Sequence, residues 1–257
     1  MNDFIKSFWE NQALKYGQSH IASWGDIYCI NLEIDNIANY IHQGDSVLDI
    51  GCANGFSAIA QCGKKKLSSM TGVDFSENMI AYANQNKQES NYRDILNFSV
   101  ADICNLPFED NTFDVVYTTR VLINLPSWEE QKTGISECLR VIKKGGRFIL
   151  CEGFWEPLCR LNAIRLLAGL SPLVEHDFNR YLKKVMLESY LTSLEYSFDN
   201  VDFSSIYYLG SRVFRELVTD YESYEGFSNP INEEFFKIQS HYSGGGFGIQ
   251  QLYAIEK

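Results

Sequence analysis

The sequence predicts an α/β protein built on a doubly wound, mainly parallel sheet with helical additions. Between residues 46 and 152, short apolar runs that end in glycine or an acid alternate with windows of helical periodicity. At 257 residues with 45% hydrophobic content, the chain is large enough to bury a sheet between two helical layers. We therefore expect a single domain over residues 1–257 rather than a disordered or repetitive chain.

Two helices are predicted before the sheet begins, within residues 1–44. Apolar side chains recur at helical spacing over residues 2–16, as in Phe4 and Phe8. The same spacing returns over residues 27–41, where the apolar positions are mostly isoleucines. Both segments are expected to pack an apolar stripe against the core.

The core of the sheet is predicted over residues 45–152. Its strands should be VLDI, MTGVD, LNFSVAD, FDVVYTT and RFILCE, separated by helices over 56–61, 77–86 and 129–142. Strand–helix–strand crossovers are right-handed, and in open sheets of this kind the ligand crevice lies outside the carboxyl ends of the strands. Functional side chains are therefore expected directly after these strands.

After Glu152 the regular alternation stops. Helices are predicted over 157–170 and 180–192, a strand over 201–209, and a final antiparallel strand over 248–257. We interpret residues 153–192 and 205–247 as cap additions over the crevice, with the last strand returning to the sheet.

The charge balance disfavours a nucleic-acid partner. The chain has 22 Lys and Arg against 33 Asp and Glu, a formal net charge of −11, so the general attraction to phosphate is missing. No run approaches the roughly 18 apolar residues of a membrane span, and the first residues carry acids where a signal peptide is basic and then apolar. A cytoplasmic protein without a membrane span is therefore expected.

The seven cysteines are odd in number and form no CxxC pair. This argues against a disulfide framework and against a zinc site, so no metal is predicted. Most of these cysteines are expected to be small buried apolar residues.

The segment SVLDIGCANGFSAIA, residues 46–60, is the most informative one. An apolar strand runs into Gly51 and a helix begins near residue 54, so the glycines lie in a turn at the carboxyl edge of the sheet. A dinucleotide fingerprint would need glycine also at positions 53 and 56, which hold Ala53 and Phe56, and a P-loop would need Gly-Lys-Ser/Thr. Both are disfavoured, and a generic tight turn stays open.

Acidic residues end the next two strands as well. Asp74 falls 23 residues after Gly51, about where a carboxylate meets ribose hydroxyls in nucleotide-binding βαβ units. Asp102 ends the third predicted strand. Three successive strands thus finish at one rim with acids, which favours a binding site over three unrelated turns.

In these segments the sequence resembles the class I S-adenosylmethionine-dependent methyltransferases. The resemblance covers residues 45–152 and rests on VLDIGCANG, GVDFSENMI, ADICNLPF, FDVVYTTRVLINL and LRVIKKGGRFILCEG in that order. It implies a Rossmann-like fold and S-adenosylmethionine as cofactor, with S-adenosylhomocysteine as product. Ala53 stands where the family commonly has its middle glycine, a small change.

The resemblance also implies roles for individual residues. The glycine turn with Asp49, Gly51, Ala53 and Gly55 would pass the methionine part of the cofactor, and Asp74 would bind the ribose. Asp102 and Ile103 would lie beside the adenine. The remaining cofactor contacts are expected within the matching segments, at Phe75, Met79 and Thr119.

A narrower resemblance links the chain to a bacterial subgroup associated with surface-carbohydrate or small-metabolite modification. It rests on WENQALKYGQSHIASWGD, RVLINLPSW, LNAIRLLAGL and YYLGSRV. It implies N-terminal helices that close over the methionine end of the cofactor, with Tyr16 and Trp24 in contact; packing of these aromatics onto the core is the alternative.

Methyl transfer from a sulfonium mainly needs alignment, exclusion of water and removal of the acceptor's proton. His176 and Glu152 are the candidate catalytic groups, His176 because an imidazole suits proton removal near pH 7. Guanidinium groups suit phosphate and carboxylate, so an anionic acceptor is one option. The candidate acceptor-binding residues are Arg120, Asn124, Arg165, Tyr207 and Arg212.

The acceptor predicted from these residues is a small polar molecule, phosphorylated or sugar-linked, methylated on oxygen or nitrogen. The segment TTRV lacks the Pro-Pro-aromatic run of DNA base methyltransferases and the acid cluster of the metal-dependent catechol type. Two alternatives stay open, a catalytically silent cofactor-binding subunit and an NAD-dependent oxidoreductase. A homodimer is also left open.

Overall fold

The computed structural model describes residues 3–219, 227–242 and 244–257. The helices are α1 (Asp3–Tyr16), α2 (Ile27–Ala38), α3 (Phe56–Lys64), α4 (Glu77–Glu89), α5 (Trp128–Val141), α6 (Trp155–Leu167), α7 (Lys184–Ser193), α8 (Ser205–Leu209), α9 (Arg215–Val218) and α10 (Pro230–Gln239). The strands are β1 (Ser46–Ile50), β2 (Ser69–Asp74), β3 (Leu96–Val100), β4 (Phe113–Thr119), β5 (Ile142–Gly153), β6 (Ser197–Val201) and β7 (Gln250–Glu256). Residues 220–226 and 243 of the predicted cap lie outside the described residues.

Within these ranges the strands form one sheet in the order β3-β2-β1-β4-β5-β7-β6. Strands β1 to β5 pair in parallel, and β7 runs antiparallel between β5 and β6. The predicted fold, a Rossmann-like, mainly parallel sheet with an antiparallel last strand, is confirmed. Strand order reverses between β1 and β4, and this switch point is where open α/β sheets bind ligands.

The central strands are buried on both faces, because successive side chains point to opposite faces of the sheet and helices pack on each face. In β1, Val47 packs into the core with Ile37 of α2, whereas Leu48 packs on the opposite face with Ile135 of α5. All three strand residues Val47, Leu48 and Ile50 are at most 1% exposed. The carboxyl end of β1 is therefore held rigidly between two layers.

Side-chain caps start the helices that follow these strands. The Ser76 hydroxyl accepts the backbone N–H of Met79 at the start of α4 (3.1 Å), and the Ser127 hydroxyl accepts that of Glu130 at the start of α5 (3.3 Å). These caps fix the loops after β2 and β4 beside the switch point.

The strand predicted over 201–209 is wrong. The sheet takes Ser197–Val201 as β6, and the next residues turn into α8. Asp202 causes the change, since its carboxylate accepts the Ser205 hydroxyl (2.5 Å) and the Ser204 backbone N–H (3.4 Å). The helix buries two adjacent tyrosines, Tyr207 and Tyr208, which a strand would point to opposite faces.

Part of the range predicted as cap belongs to the layers around the sheet. Leu187 and Leu191 of α7 are fully buried against the core that contains Val116 and Phe148. Helix α6 packs on the opposite face through Leu158 and Leu161. The segment between these helices, residues 171–183, is the part that reaches the switch point.

A buried ion pair fixes the far part of the chain to α2. Asp26, which caps α2, is fully buried and accepts the Arg212 guanidinium (2.6 Å) and the Tyr207 hydroxyl (2.5 Å). Arg212 lies in a π-helical turn, Gly210–Phe214, between α8 and α9. A guanidinium and a carboxylate removed from water in this way depend on each other.

None of the helices in the described ranges is both long and apolar enough to cross a bilayer.

Candidate active site

A cavity of about 770 Å³ opens at the carboxyl ends of β1, β2 and β4, in the size range of small-molecule sites. Helix α1 and the segment 174–181 line it together, and they meet where Phe8 contacts Phe178. The cavity is lined by twelve residues that the sequence predicted for the site, Tyr16, Trp24, Asp49, Gly51, Ala53, Asp74, Phe75, Met79, Thr119, Arg120, Asn124 and His176.

The turn after β1 brings backbone to the cavity surface. Gly51 has φ +72°, and a side chain there would clash with Val121 Cγ2. Ala53 also has a positive φ, +47°, and its backbone N–H donates to Asp74 Oδ2 (3.0 Å). The alanine thus takes the place of a glycine at the cost of local strain, offset by the bond to Asp74.

Asp74 is the buried carboxylate at the end of β2. Its Oδ1 accepts the Ser76 backbone N–H (2.9 Å), and only 8% of the residue is exposed. Burial raises the pKa of Asp74 to about 6, partly offset by the backbone N–H groups of Ser76 and Ala53. A carboxylate has about four lone-pair sites, so Asp74 keeps acceptor capacity toward the cavity.

Asp49 and Thr119 also line the cavity, and each has a buried side-chain oxygen. Within the described part of the chain, Asp49 Oδ2 and Thr119 Oγ1 are buried without a hydrogen-bond partner. Burial raises the pKa of Asp49 to about 7. Both residues line the cavity, so the carboxylate and the hydroxyl can accept hydrogen bonds from a ligand. Two acids and a hydroxyl suit the cationic, hydroxyl-bearing S-adenosylmethionine that the resemblance implies.

We expect the affinity for S-adenosylmethionine to rise with pH. Below about pH 6 to 7 the raised pKa values of Asp74 and Asp49 leave both groups largely protonated and neutral. Only the ionised forms attract a sulfonium, so binding must release protons and should strengthen between pH 5 and pH 8. Calorimetry at pH 5.5 and pH 8 in buffers of different ionisation enthalpy measures both effects; an affinity that falls with pH would contradict them.

Arg120 follows β4 in a strained conformation, with φ +59°. Its Nε lies 3.1 Å from the buried Glu33 Oε1, and its guanidinium stacks 4.7 Å from the ring centre of Trp24. Burial raises the pKa of Glu33 to about 7 against the pull of Arg120. Of the described residues around the cavity, Arg120 alone is a Lys or Arg, and it is held in place from two sides.

One side of the cavity is an aromatic wall that the sequence did not reveal. Phe8 of α1 and His176 each contact Phe178, with ring centres 4.8 and 4.3 Å apart. Trp9 donates from Nε1 to Asn124 Oδ1 (3.3 Å), which connects α1 to the loop after β4. The helical spacing of Phe8 and Trp9 indicated packing, and nothing local showed that Phe178 would be their partner.

Helix α1 is also held over the cavity by polar contacts. Glu10 accepts the backbone N–H groups of Glu77 (2.9 Å) and Asn78 (3.1 Å) at the start of α4. Asn54, in the glycine turn, donates to the carbonyls of Gly17 (2.9 Å) and Ser19 (2.8 Å). The N-terminal helix is therefore coupled to the turns after β1 and β2.

Three residues expected to contact the cofactor are not part of the cavity lining. Gly55, with φ +79°, packs instead against Phe98 and starts α3. Asp102 accepts the Cys104 backbone N–H (2.9 Å), and Ile103 is buried in the core. Asp102 and Ile103 follow β3, one strand beyond Asp74, so an adenine contact there stays a prediction.

Glu152 binds backbone N–H groups of the loop after β4 and does not line the cavity. It is fully buried and accepts the N–H groups of Val121 (3.0 Å), Leu122 (3.1 Å) and Ile123 (3.4 Å). Burial raises the pKa of Glu152 to about 7, and these amides offset part of the rise. Its position does not support the predicted catalytic role; it positions the loop that carries Val121.

The predicted cluster of arginines around an anionic acceptor is not assembled. Arg165 pairs with Glu216 (2.9 Å), and Arg212 and Tyr207 both bind Asp26; none of these three lines the cavity. The Arg212 guanidinium neutralises the buried Asp26 carboxylate, and the buried Arg165 pairs with the half-buried Glu216, so neither guanidinium is available to a ligand. Tyr208, next in sequence, does line the cavity.

Residues 48–150 match the model of a protein family described as a methyltransferase domain. A demethylmenaquinone methyltransferase of Desulfitobacterium hafniense is 44% identical over 80 residues, 31% of this chain and 30% of that protein. The enzyme of the same name from Symbiobacterium thermophilum is 34% identical over 119 residues, 44% of each chain. The 27-O-demethylrifamycin SV methyltransferase of Amycolatopsis mediterranei is 34% identical over 111 residues, 43% of this chain and 39% of that one.

The chain thus spans less than half the length of these curated relatives. Among solved structures, the [4+2]-cyclase SpnF superposes with a TM-score of 0.58 at 20% identity, covering 87% of this chain and 80% of that one. A geranyl diphosphate methyltransferase in complex with S-adenosylmethionine gives 0.56 at 15% identity, covering 87% and 82%. At this identity the structures support the fold alone.

Proposed function

We propose that this chain, which belongs to the class I S-adenosylmethionine-dependent methyltransferases, transfers the methyl group to a small molecule with a largely apolar or aromatic body. The observation that carries this is the cavity at the switch point, where Asp49, Gly51 and Asp74 meet an aromatic wall. When bound, S-adenosylmethionine supplies an activated methyl group on a sulfonium.

The donor end of the cavity is negatively charged. Asp74 would accept from ribose hydroxyls, and Asp49 and Thr119 would accept from the methionine amino group. Arg120 would hold the methionine carboxylate or a polar group of the acceptor. The same carboxylates would bind the product less tightly than the donor. The sulfur of S-adenosylhomocysteine carries no positive charge for Asp49 and Asp74 to attract, and this favours product release.

The acceptor end is built for a ring or an apolar body. Phe8, Phe178 and Tyr181 border it, and α1 with the segment 174–181 would exclude water from the reacting atoms. We propose an apolar or aromatic acceptor in place of the phosphorylated one expected from the sequence, because Arg165 and Arg212 form ion pairs with Glu216 and Asp26. Relatives are named both for C-methylation and for O-methylation. We propose oxygen or nitrogen here, since His176 lies at this end to take the proton that such an atom loses.

We expect His176→Ala to lower turnover by about 10²- to 10⁴-fold, the usual contribution of a positioned general base. S-adenosylhomocysteine affinity should change little, because Asp49 and Asp74 are unaffected. Steady-state kinetics and calorimetry on the same preparation measure the two quantities.

The matched control is His42→Ala, an exposed histidine outside the cavity. Normal turnover in His176→Ala removes His176 from this role.

The function is tested by an acceptor screen that follows release of S-adenosylhomocysteine. The screen should begin with aromatic compounds that carry a hydroxyl or amino group and include phosphorylated and sugar-linked metabolites. Reduced demethylmenaquinone tests the alternative of methylation on carbon. Turnover with a member of the first group is the expected result. Donor binding without turnover on any acceptor would instead support a silent cofactor-binding subunit.

A further inference from the structure

A second concave surface lies directly beside the main cavity. It is a groove of about 580 Å³ between α6 and the segment 173–180. Leu158 forms part of its floor and is 3% exposed, while Trp155 and Leu166 stand at its rim with 39% and 61% exposure. Its α6 side is therefore mostly hydrocarbon.

The groove and the cavity share a wall. Val174, Glu175, His176 and Asp177 line both of them. A molecule whose reacting end lies against His176 in the cavity can therefore continue past this wall into the groove without leaving the protein surface.

The shared wall is anchored at both ends. Leu173 exchanges two hydrogen bonds with the Asn162 side chain, both 2.8 Å long, and the Arg180 backbone N–H donates to the Ile123 carbonyl (2.6 Å). Between these anchors Val174 is 83% exposed. Val174 lines the same groove as the exposed Trp155 and Leu166, and together they form a contiguous apolar surface of the kind that marks a contact site.

We propose that this groove binds the hydrocarbon arm of the methyl acceptor, whose ring or head occupies the main cavity. The substrate class is then an amphiphile with a reactive head and an apolar chain. That the ligand is the methyl acceptor rests on the proposed function. That the groove binds hydrocarbon rests on the groove alone.

Cys159 offers a direct report on the groove. It lines the groove and is exposed, whereas the other six cysteines are buried or half-buried. Its reaction with dithiobis(nitrobenzoate) should be the fast phase of thiol modification. 1-Hexanol, 1-octanol and 1-decanol should slow that phase, and the half-protecting concentration should fall about three- to fourfold per methylene.

A matched pair of variants locates the effect. Ala163→Trp fills the groove, while Leu167→Trp adds the same ring on the same helix at an 87% exposed position outside it. Binding of the neutral dye N-phenyl-1-naphthylamine should weaken at least tenfold in Ala163→Trp and stay within twofold in Leu167→Trp.

Calorimetry with S-adenosylhomocysteine separates the two proposals. Loss of dye binding with unchanged S-adenosylhomocysteine affinity in Ala163→Trp supports the groove. Protection of Cys159 that does not depend on chain length, or equal dye binding in both variants, overturns it whatever the donor affinity. If the wild-type protein binds no S-adenosylhomocysteine, the proposed function is contradicted. The alkanol series then still shows whether the groove binds hydrocarbon.

Discussion

Asp74→Ala is expected to weaken binding of S-adenosylmethionine by about 1–3 kcal/mol, or about 5- to 150-fold. Two losses combine in this variant. The ribose loses a charge-assisted acceptor, and the backbone N–H of Ala53 loses the carboxylate that holds the strained turn beside Gly51. Calorimetric titration with S-adenosylhomocysteine measures the effect without turnover.

The control for this prediction is Asp94→Ala, which removes a carboxylate whose side chain is 95% exposed. Its donor affinity should match that of the wild-type protein. Asp74→Asn adds a second comparison, because an amide keeps one acceptor oxygen and loses the charge. The donor affinity of this variant should fall between those of the wild-type protein and Asp74→Ala. A folded Asp74→Ala protein with wild-type affinity would exclude Asp74 from the binding site.

The largest loss of stability is expected for Asp26→Ala, which should lower the free energy of unfolding by about 3–5 kcal/mol. The change leaves the Arg212 guanidinium buried without its carboxylate and the Tyr207 hydroxyl without its acceptor. It also removes the cap of α2. Urea unfolding followed by circular dichroism measures the difference.

Helix α2 provides a matched comparison. Asp35 pairs with Lys64 at the surface, where both side chains are about half exposed, so Asp35→Ala should cost at most about 1 kcal/mol. If Asp26→Ala does not fold, Tyr207→Phe removes a single hydrogen bond to the same carboxylate and should cost about 1.5–3 kcal/mol. Equal costs for Asp26→Ala and Asp35→Ala would show that the buried network does not stabilise the fold.

The sheet and its binding rim could be predicted because their determinants are local. A strand that ends in Asp49 and Gly51, followed by one that ends in Asp74, puts both acids at the same edge whatever surrounds them. Burial then supplies what the sequence does not show, the raised pKa values of both groups.

The proposed acceptor side could not be predicted because its contacts join distant parts of the chain. Arg212 is a suitable anion ligand by residue type, yet it pairs with Asp26, 186 residues away. Phe8 meets Phe178 across 170 positions for the same reason. Residue type shows what a side chain can bind, and only tertiary packing decides which partner it finds.

Local patterns also failed where polar side chains changed the backbone. The strand-like residues after Val201 predicted a strand. Instead, the Asp202 carboxylate accepts hydrogen bonds from the Ser204 backbone N–H and the Ser205 hydroxyl, and a helix begins there. The spacing of apolar residues indicates which secondary structure would bury them. Hydrogen bonds from polar side chains to the nearby backbone can favour a different one.

The most direct test of this account is calorimetric titration of the purified protein with S-adenosylmethionine, S-adenosylhomocysteine and NAD in parallel. We predict dissociation constants on the order of micromolar for the two sulfur compounds and no binding of NAD. Failure to bind either sulfur compound would contradict the central claim, because the rim formed by Asp49, Gly51 and Asp74 would then have the fold of a donor site without its function.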